Sequence, residues 1–279
     1  VLSTAPSDDI SAMATDSAGN VWVFDSETLK LSRVNVAAGA VLAGNTVVLD
    51  AWRGAAALPV HGMDFDAADN LYAATTLLSQ SPTQKLGRLL GTAVQANTLT
   101  IDADGRLYAI DFGTDAMGDL GDDYDIQAVG LAPVSNILYA INNNAGTLEL
   151  YRINRDSDGI VSSFTLVGAL SDGANDVTGV RAMDIDTAGV IRVIGTRAAV
   201  NPGGDMELFT VDPATGTATP VAAVTDPAVV TDTIDGLAFS RDEATLYAVR
   251  NQGGVFRLYT VNTATGLMTE VIGPTLGTG

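Results

Sequence analysis

The chain has 279 residues, a net charge of −19 and no cysteine. Repulsion from phosphates excludes nucleic acid as an expected partner. No apolar run reaches the roughly 18 residues that a membrane-spanning helix needs, so we expect no membrane insertion. Without cysteine, disulfides and thiolate zinc sites are excluded as well.

A seven-residue phrase recurs six times along the chain. It reads apolar, polar, small, apolar, small or acidic, apolar, and then usually Asp, Ser or Ala. The alternation is typical of a strand with two distinct faces. Recurrence at intervals of tens of residues indicates a solenoid, a propeller or an array. The copies begin at Ile10, Val60, Ala96, Ile126, Val180 and Ile234.

A tight turn and a second apolar run follow the phrase. The turns contain Asp, Asn and Gly, as in 16–20 and 186–189. Asp and Asn bond their own backbone in such turns, and Gly accepts a positive φ. The second runs are rich in β-branched and aromatic residues, so each phrase and its partner are predicted to form a β-hairpin. The second runs begin at Val21, Leu71, Leu107, Ile137, Val190 and Leu246.

Four units also contain a third run, and fourth runs follow it. The last two units show the pattern most clearly, with turns at 212–216 and 262–266 and fourth runs from Thr217 and Met268. Four antiparallel strands per unit, repeated in a row, are typical of the blades of a β-propeller. We therefore predict an all-β chain folded as a single β-propeller.

The number of blades depends on the third unit. Only 30 residues separate the phrases at Ala96 and Ile126, which is too short for four full strands. Because the six phrases align without gaps, we favour six blades, one of them truncated. The alternative takes the segment from Arg106 as a third and a fourth strand, merges two units and gives five blades. The propeller domain is predicted over 10–279. The segment 1–9 is predicted to close the ring as a strand or to pair with the blade edge of a neighbouring molecule.

The stretches LFTVDPATGTATPV and LYTVNTATGLMTEV, at 208–221 and 258–271, resemble repeats of secreted bacterial β-propellers. Many of those proteins belong to families without assigned function. The resemblance implies a disc of blades around a central channel and a secreted location: extracellular, at the cell surface or periplasmic. It also implies, in many cases, a binding role. It carries no catalytic motif, and we assign no catalytic residue.

The second residue of each phrase is the candidate ligand-binding set. In a propeller the first strand of each blade is innermost, so its opening residues surround one mouth of the channel. The mixture of charged and neutral hydrogen-bonding groups could orient a small polar ligand, and it could equally serve only to solvate a water-filled channel. The set consists of Ser11, His61, Asn97, Gln127, Arg181 and Asp235.

The turn that begins at Asn154 is the candidate metal site. Asn154, Asp156 and Asp158 occupy the first, third and fifth positions of a calcium loop, and Gly159 occupies the sixth. The closing Glu is missing, because the twelfth position is Thr165. The alternative is an ordinary Asp- and Gly-rich turn.

Three functions remain open. The first is a non-enzymatic module that binds an unknown protein partner or assembles with its own copies, with calcium at the candidate turn as the expected stabilising ion. The second is a metal-assisted hydrolase of the lactonase type, with Asp235, Asn97 and Gln127 as metal ligands in the channel mouth. The third is a carbohydrate-binding propeller, which predicts exposed aromatic side chains beside that mouth. The absence of a catalytic motif favours the first.

Overall fold

The structure, a computed structural model, describes residues 10–25, 30–37, 40–48, 60–65, 71–76, 84–89, 108–111, 126–155, 161–197, 199–200, 205–225, 234–240, 242–252 and 255–271. The segment 1–9 therefore lies outside the described residues, and so does the phrase at Ala96. No helix within these ranges is long and apolar enough to span a bilayer.

The described strands form five four-stranded antiparallel sheets, each built from strands that are consecutive in the chain. The first contains β1 (Ile10–Thr15), β2 (Val21–Asp25), β3 (Lys30–Asn35) and β4 (Ala40–Val48). The second contains β5 (Val60–Phe65), β6 (Leu71–Thr76), β7 (Gln84–Leu89) and β8 (Tyr108–Asp111). The third contains β9 (Ile126–Ala132), β10 (Ile137–Asn144), β11 (Thr147–Arg155) and β12 (Val161–Ala169). The fourth contains β13 (Met183–Ile185), β14 (Ile191–Gly195), β15 (Glu207–Val211) and β16 (Ala218–Ala223). The fifth contains β17 (Ile234–Phe239), β18 (Leu246–Gln252), β19 (Val255–Val261) and β20 (Met268–Glu270).

Strand β8 corrects the predicted organisation of the second and third units. The sequence predicts that the run from Leu107 is the second strand of a separate, truncated blade. In the structure β8 pairs with β7, with Tyr108 opposite Arg88, and it completes the sheet that begins with β5. The described residues therefore do not show the favoured six blades. The alternative is wrong in detail, since it made the segment from Arg106 a third strand and the third strand is β7. Residues 90–107 separate β7 from β8 along the chain, so their pairing is a tertiary contact that no local sequence pattern reveals.

The first strand of each described sheet lies innermost, and these strands contact one another in a closed circle. β1 contacts β5, β5 contacts β9, β9 contacts β13, β13 contacts β17, and β17 contacts β1 again. The other three strands of each sheet follow outward in chain order. This is the radial arrangement of sheets that the repeated phrase predicts.

The third residue of the phrase is small because the neighbouring first strand comes so close. A Cβ placed on Gly62 would lie 2.5 Å from the backbone nitrogen of Val129. A Cβ placed on Gly236 would lie 2.7 Å from the Cβ of Met13. Both contacts join the middle of one phrase to the middle of the next. The first strands β5 and β9 run side by side in the same direction, because Asp64, two residues after Gly62, accepts from the N–H of Leu131, two residues after Val129.

The hydrophobic core lies between neighbouring sheets. Leu208 of the fourth sheet and Leu237 of the fifth belong to one buried cluster. Phe256 of the fifth sheet shares another buried cluster with Met13 and Val23 of the first. Burying side chains of this size contributes roughly 1.5–3 kcal/mol each. In the described residues the ring thus closes between the fifth and first sheets through side-chain packing, with no strand exchanged between sheets.

The turn between the third and fourth strands packs against the end of the preceding sheet. Gly266 has a φ of 70°, and a Cβ on it would lie 2.2 Å from the carbonyl oxygen of Ala223. The Asn262 side chain accepts a hydrogen bond from the Ala264 N–H at 3.0 Å, which closes the turn. Gly216 repeats this geometry one sheet earlier, with a φ of 77°. The two similar stretches thus supply both the turn and the contact between sheets.

Candidate binding cavity at the centre of the ring

A cavity of about 320 Å³ opens where the innermost strands end. Every one of the five described sheets contributes to its wall, so the cavity is a product of the ring. The sixth residue of the phrase lines it in each sheet, and hydroxyl groups and carboxylates surround these positions. The sixth residues are Thr15, Phe65, Leu131, Ile185 and Phe239; the hydroxyl groups come also from Ser17, Thr187 and Ser240; the carboxylates are those of Asp16, Asp64, Asp184 and Glu243.

Two of these carboxylates cross from one sheet to the next. Asp64 on β5 accepts hydrogen bonds from its neighbour Phe65 N–H and from the N–H of Leu131 on β9. Asp184 on β13 accepts hydrogen bonds in the same way, from Ile185 N–H and from the N–H of Phe239 on β17. Both occupy the fifth position of the phrase, where the other described copies have Ala or Gly. An acidic group in this buried strand is tolerated because both of its oxygens have donors.

Asp184 has a raised pKa. Burial raises the pKa of its carboxyl group to about 7, although the hydrogen bonds from Phe239 N–H and Ile185 N–H act to lower it. The negative charges of Glu243 and Asp186 raise the pKa further. Asp184 therefore changes charge close to neutral pH, within the cavity wall.

Glu243 of the fifth sheet makes a bridge in the opposite direction, to the fourth sheet. It lies in the turn after β17 with a φ of 56°, a conformation that is uncommon for a residue with a side chain. Its carboxylate accepts hydrogen bonds from the N–H of Thr187 and from the Thr187 hydroxyl, the latter at 2.8 Å. The fourth and fifth sheets are thus linked at the cavity by a carboxylate from each side.

Asp16 is held by its own turn. One oxygen accepts from Ala18 N–H at 3.0 Å and from Asn20 N–H at 2.8 Å, and the other accepts from the Trp22 indole at 2.9 Å. This confirms the predicted Asp turn after the first strand. It also explains why Trp22 is buried.

The cavity is negatively charged. Four carboxylates line it, and none of the described lining residues is Lys, Arg or His. Apolar groups, among them the Phe65 and Phe239 rings, form the rest of the wall. A carboxylate-lined concavity with apolar walls focuses a negative potential and raises the local concentration of cations. Its hydroxyl groups can donate and accept hydrogen bonds.

The described members of the predicted polar set lie at the opposite end of the same strands. Second and sixth residues of a strand are roughly 13 Å apart, given a rise of about 3.3 Å per residue. Arg181 and Asp235 come together there, with Nη1 of the first 3.8 Å from Oδ1 of the second. Ser11 and Gln127 occupy the matching positions of β1 and β9. His61 lies within β5, its side chain is outside the described structure, and Asn97 is outside the described residues altogether.

The predicted calcium turn is described only at its first residue. The Asn154 amide nitrogen donates to the hydroxyls of Ser163 and Thr165, each at 2.9 Å, so it links β11 to β12. Asp156 and Asp158 lie outside the described residues. Across the described part of the chain, no group of three or more His, Cys, Asp or Glu side chains could hold a metal ion. The calcium site stays a prediction.

Comparison with known proteins finds matches to solved structures and none to family models or curated sequences. The structural alignment with the PQQ-bound aldose sugar dehydrogenase of Streptomyces coelicolor covers 97% of this chain and 82% of the dehydrogenase, with a TM-score of 0.52 and 13% identity. A TolB protein of Agrobacterium tumefaciens covers 95% and 81%, with a TM-score of 0.52 and 12% identity. The allergen Mala s 1 of Malassezia sympodialis covers 94% and 78%, with a TM-score of 0.50 and 10% identity.

This chain has a β-propeller fold. Identities of this size show the fold alone. One of these proteins is a dehydrogenase and another is an allergen, so the shared fold does not select a function.

Sequence reasoning missed the cavity and its carboxylates. The fifth position of the phrase is small or acidic, and the acidic copies are the one sign in the sequence that this position could belong to a site. Asp64 and Asp184 stand between apolar neighbours, where a carboxylate needs a donor from elsewhere in the fold. Because one donor to each carboxylate comes from the adjacent sheet of the propeller, the identity of that donor could not be obtained from the strand itself.

Proposed function

We propose that this propeller is a non-enzymatic binding module whose ligand site is the carboxylate-lined cavity. The observation that carries the proposal is the lining itself: four carboxylates and several hydroxyl groups, with no cationic side chain among the described lining residues. About 320 Å³ is at the lower end of the range for small-molecule pockets. The ligand we expect is therefore a small polar molecule that carries a positive charge, such as an amine.

The test compares the two ends of the channel. Binding of a panel of small amines, amino acids, monosaccharides and divalent cations is measured by calorimetry. We expect Glu243→Gln to weaken binding of an amine about tenfold, which corresponds to the loss of one charge-assisted contact. Asp235→Asn, at the opposite end, is the matched control and should bind as the unaltered protein does. Loss of binding in the control alone would assign the ligand to the mouth predicted from the sequence.

A second function is favoured by Asp184. A carboxyl group whose pKa lies near 7, at the wall of a cavity, suits a general acid or base. The hydrolase alternative would then need no metal and would use Asp184 for proton transfer. A screen over lactones and esters decides this. Turnover that Asp184→Asn abolishes and Asp235→Asn leaves intact would establish an enzyme, and no turnover by the unaltered protein would leave the binding module.

Self-assembly, calcium and location stay predictions. We propose that segment 1–9 pairs with a blade edge of its own or of a second copy, and that the protein works outside the cytoplasm. Deleting 1–9 tests the first idea, because an unchanged particle mass and melting temperature would contradict it. Thermal melting with and without calcium tests the predicted calcium site, since calcium bound to the folded state raises the melting temperature.

A further inference from the structure

The boundary between the fourth and fifth sheets is bridged twice at the cavity, once in each direction. Asp184 of the fourth sheet accepts from Phe239 N–H of the fifth. Glu243 of the fifth sheet accepts from the N–H and the hydroxyl of Thr187 of the fourth. Both carboxylates line the cavity. The two bridges are close enough for the charge of Glu243 to act on the Asp184 carboxyl group.

The charged surroundings of Asp184 are mainly acidic. Asp186 follows it on its own chain segment, and Arg192 stands opposite it in the register of β13 and β14. β9, which packs against β13, carries no titratable side chain. β17 carries Asp235 at its far end, in contact with Arg181. The remaining charged groups around the cavity are Asp16, Asp64 and Glu243.

We propose that Asp184 and Glu243 form a proton-controlled clasp, which holds the fourth and fifth sheets together at the cavity while Asp184 is protonated and loosens when both groups are ionised. A protonated Asp184 is neutral, so Glu243 keeps its hydrogen bonds to Thr187 without repulsion. When Asp184 loses its proton, two like charges share a partly buried boundary, which disfavours their proximity. The elevated pKa of Asp184 sets this change close to neutral pH. The clasp does not require the cavity to bind a ligand.

The propeller contains its own control for this inference. Asp64 makes the equivalent bridge from β5 to the N–H of Leu131 on β9. It occupies the same position of the phrase as Asp184. No carboxylate of the described residues returns across that boundary as Glu243 does. Asp64 and Leu131 therefore provide a comparison at a boundary where the described residues show a carboxylate bridge in one direction.

The experiment is backbone amide exchange, measured residue by residue by NMR between pH 5 and pH 9 and corrected for the intrinsic exchange rate. Local opening of a boundary lowers the protection of the amides that bridge it. We expect the protection of Phe239 N–H to fall more than tenfold between pH 5 and pH 7 and to level off above that, and the protection of Leu131 N–H to stay constant. Asp184→Asn should make Phe239 protection independent of pH, whereas Asp64→Asn should leave the fall at Phe239 in place.

A second variant keeps the test valid if Asp184→Asn does not fold. Glu243→Gln removes the repelling charge and so lowers the pKa of Asp184 in the closed boundary, which should make the fall in Phe239 protection smaller and end it at a lower pH. Constant Phe239 protection in the unaltered protein would overturn the proposal. So would a fall that persists in Asp184→Asn, or one that Glu243→Gln leaves unmoved.

Discussion

Alanine substitutions at three glycines distinguish the cost of backbone strain from the cost of steric overlap between sheets. Gly146 has a φ of 96°, and a Cβ on it would meet nothing within 4 Å. Gly168 lacks a positive φ, but a Cβ on it would lie 2.2 Å from the carbonyl oxygen of Thr215 in the next sheet. Gly266 combines both conditions, with a φ of 70° and a Cβ position 2.2 Å from the Ala223 carbonyl oxygen.

The expected losses of unfolding free energy follow from these conditions. Gly146→Ala should cost about 1–2 kcal/mol, the penalty of a left-handed residue with a Cβ. Gly168→Ala should cost about 1–3 kcal/mol, because the backbone of the next sheet must move by roughly 1 Å to relieve the overlap. Gly266→Ala should cost about 2–5 kcal/mol, close to the sum of the other two, because its strain and its overlap have separate causes.

Urea unfolding followed by tryptophan fluorescence and circular dichroism provides the measurement. Coincident transitions by the two probes justify comparing free energies between variants. Equal losses for Gly146→Ala and Gly266→Ala would refute the reasoning, since the turn would then not press on the preceding sheet. A neutral Gly168→Ala would refute it independently.

Three further predictions concern charge and packing. Arg197 donates to both oxygens of Glu207 at 2.7 Å and is mostly buried, so Arg197→Ala should cost about 3–5 kcal/mol in urea unfolding. The more exposed pair of Arg257 and Glu270 is the control, and Arg257→Ala should cost less than about 1 kcal/mol. Phe256→Ala should cost about 3–5 kcal/mol, measured in the same way, because it opens a cavity where the ring closes. Asp184 has a folded pKa of about 7 and a reference value of 3.8, so the folded state binds its proton more tightly. The stability from this proton is therefore fully present below about pH 4 and is lost as the pH rises to about 7. The loss is at most about 4 kcal/mol and is smaller where cavity water screens the charge. Asp184→Asn should remove this part of the pH dependence of the melting temperature.

Local patterns predicted the parts of this propeller that are local. The phrase predicted the innermost strands, and the Asp and Gly of the turn after β1 have the contacts expected of them, as Asp16 and Gly19 show. The third and fourth runs of the last two units became β15, β16, β19 and β20. In each case the deciding interaction lies within a few residues, where propensity and turn chemistry act.

The misplaced strand and the missed cavity have one physical cause. The partner of β8 is β7, separated from it by 90–107, and nothing in either run specifies the other. One of the two donors to each of Asp64 and Asp184 comes from the neighbouring sheet. The sequence predicts a site at the polar end of the strands, because polar side chains are visible in a sequence. The cavity forms instead at the end where strands, turns and carboxylates of five sheets converge, which only the assembled ring produces.

The central claim is that the sheets close into a ring around this cavity, and one contact tests it most directly. Gly236 on β17 and Met13 on β1 come from opposite ends of the described chain, and a Cβ on Gly236 would lie 2.7 Å from the Met13 Cβ. We expect a strong nuclear Overhauser effect between the Gly236 Hα and Met13 Hβ protons. If that signal is absent while the corresponding signal between Gly62 and Val129 is present, the sheets form an open row and the cavity does not exist as described.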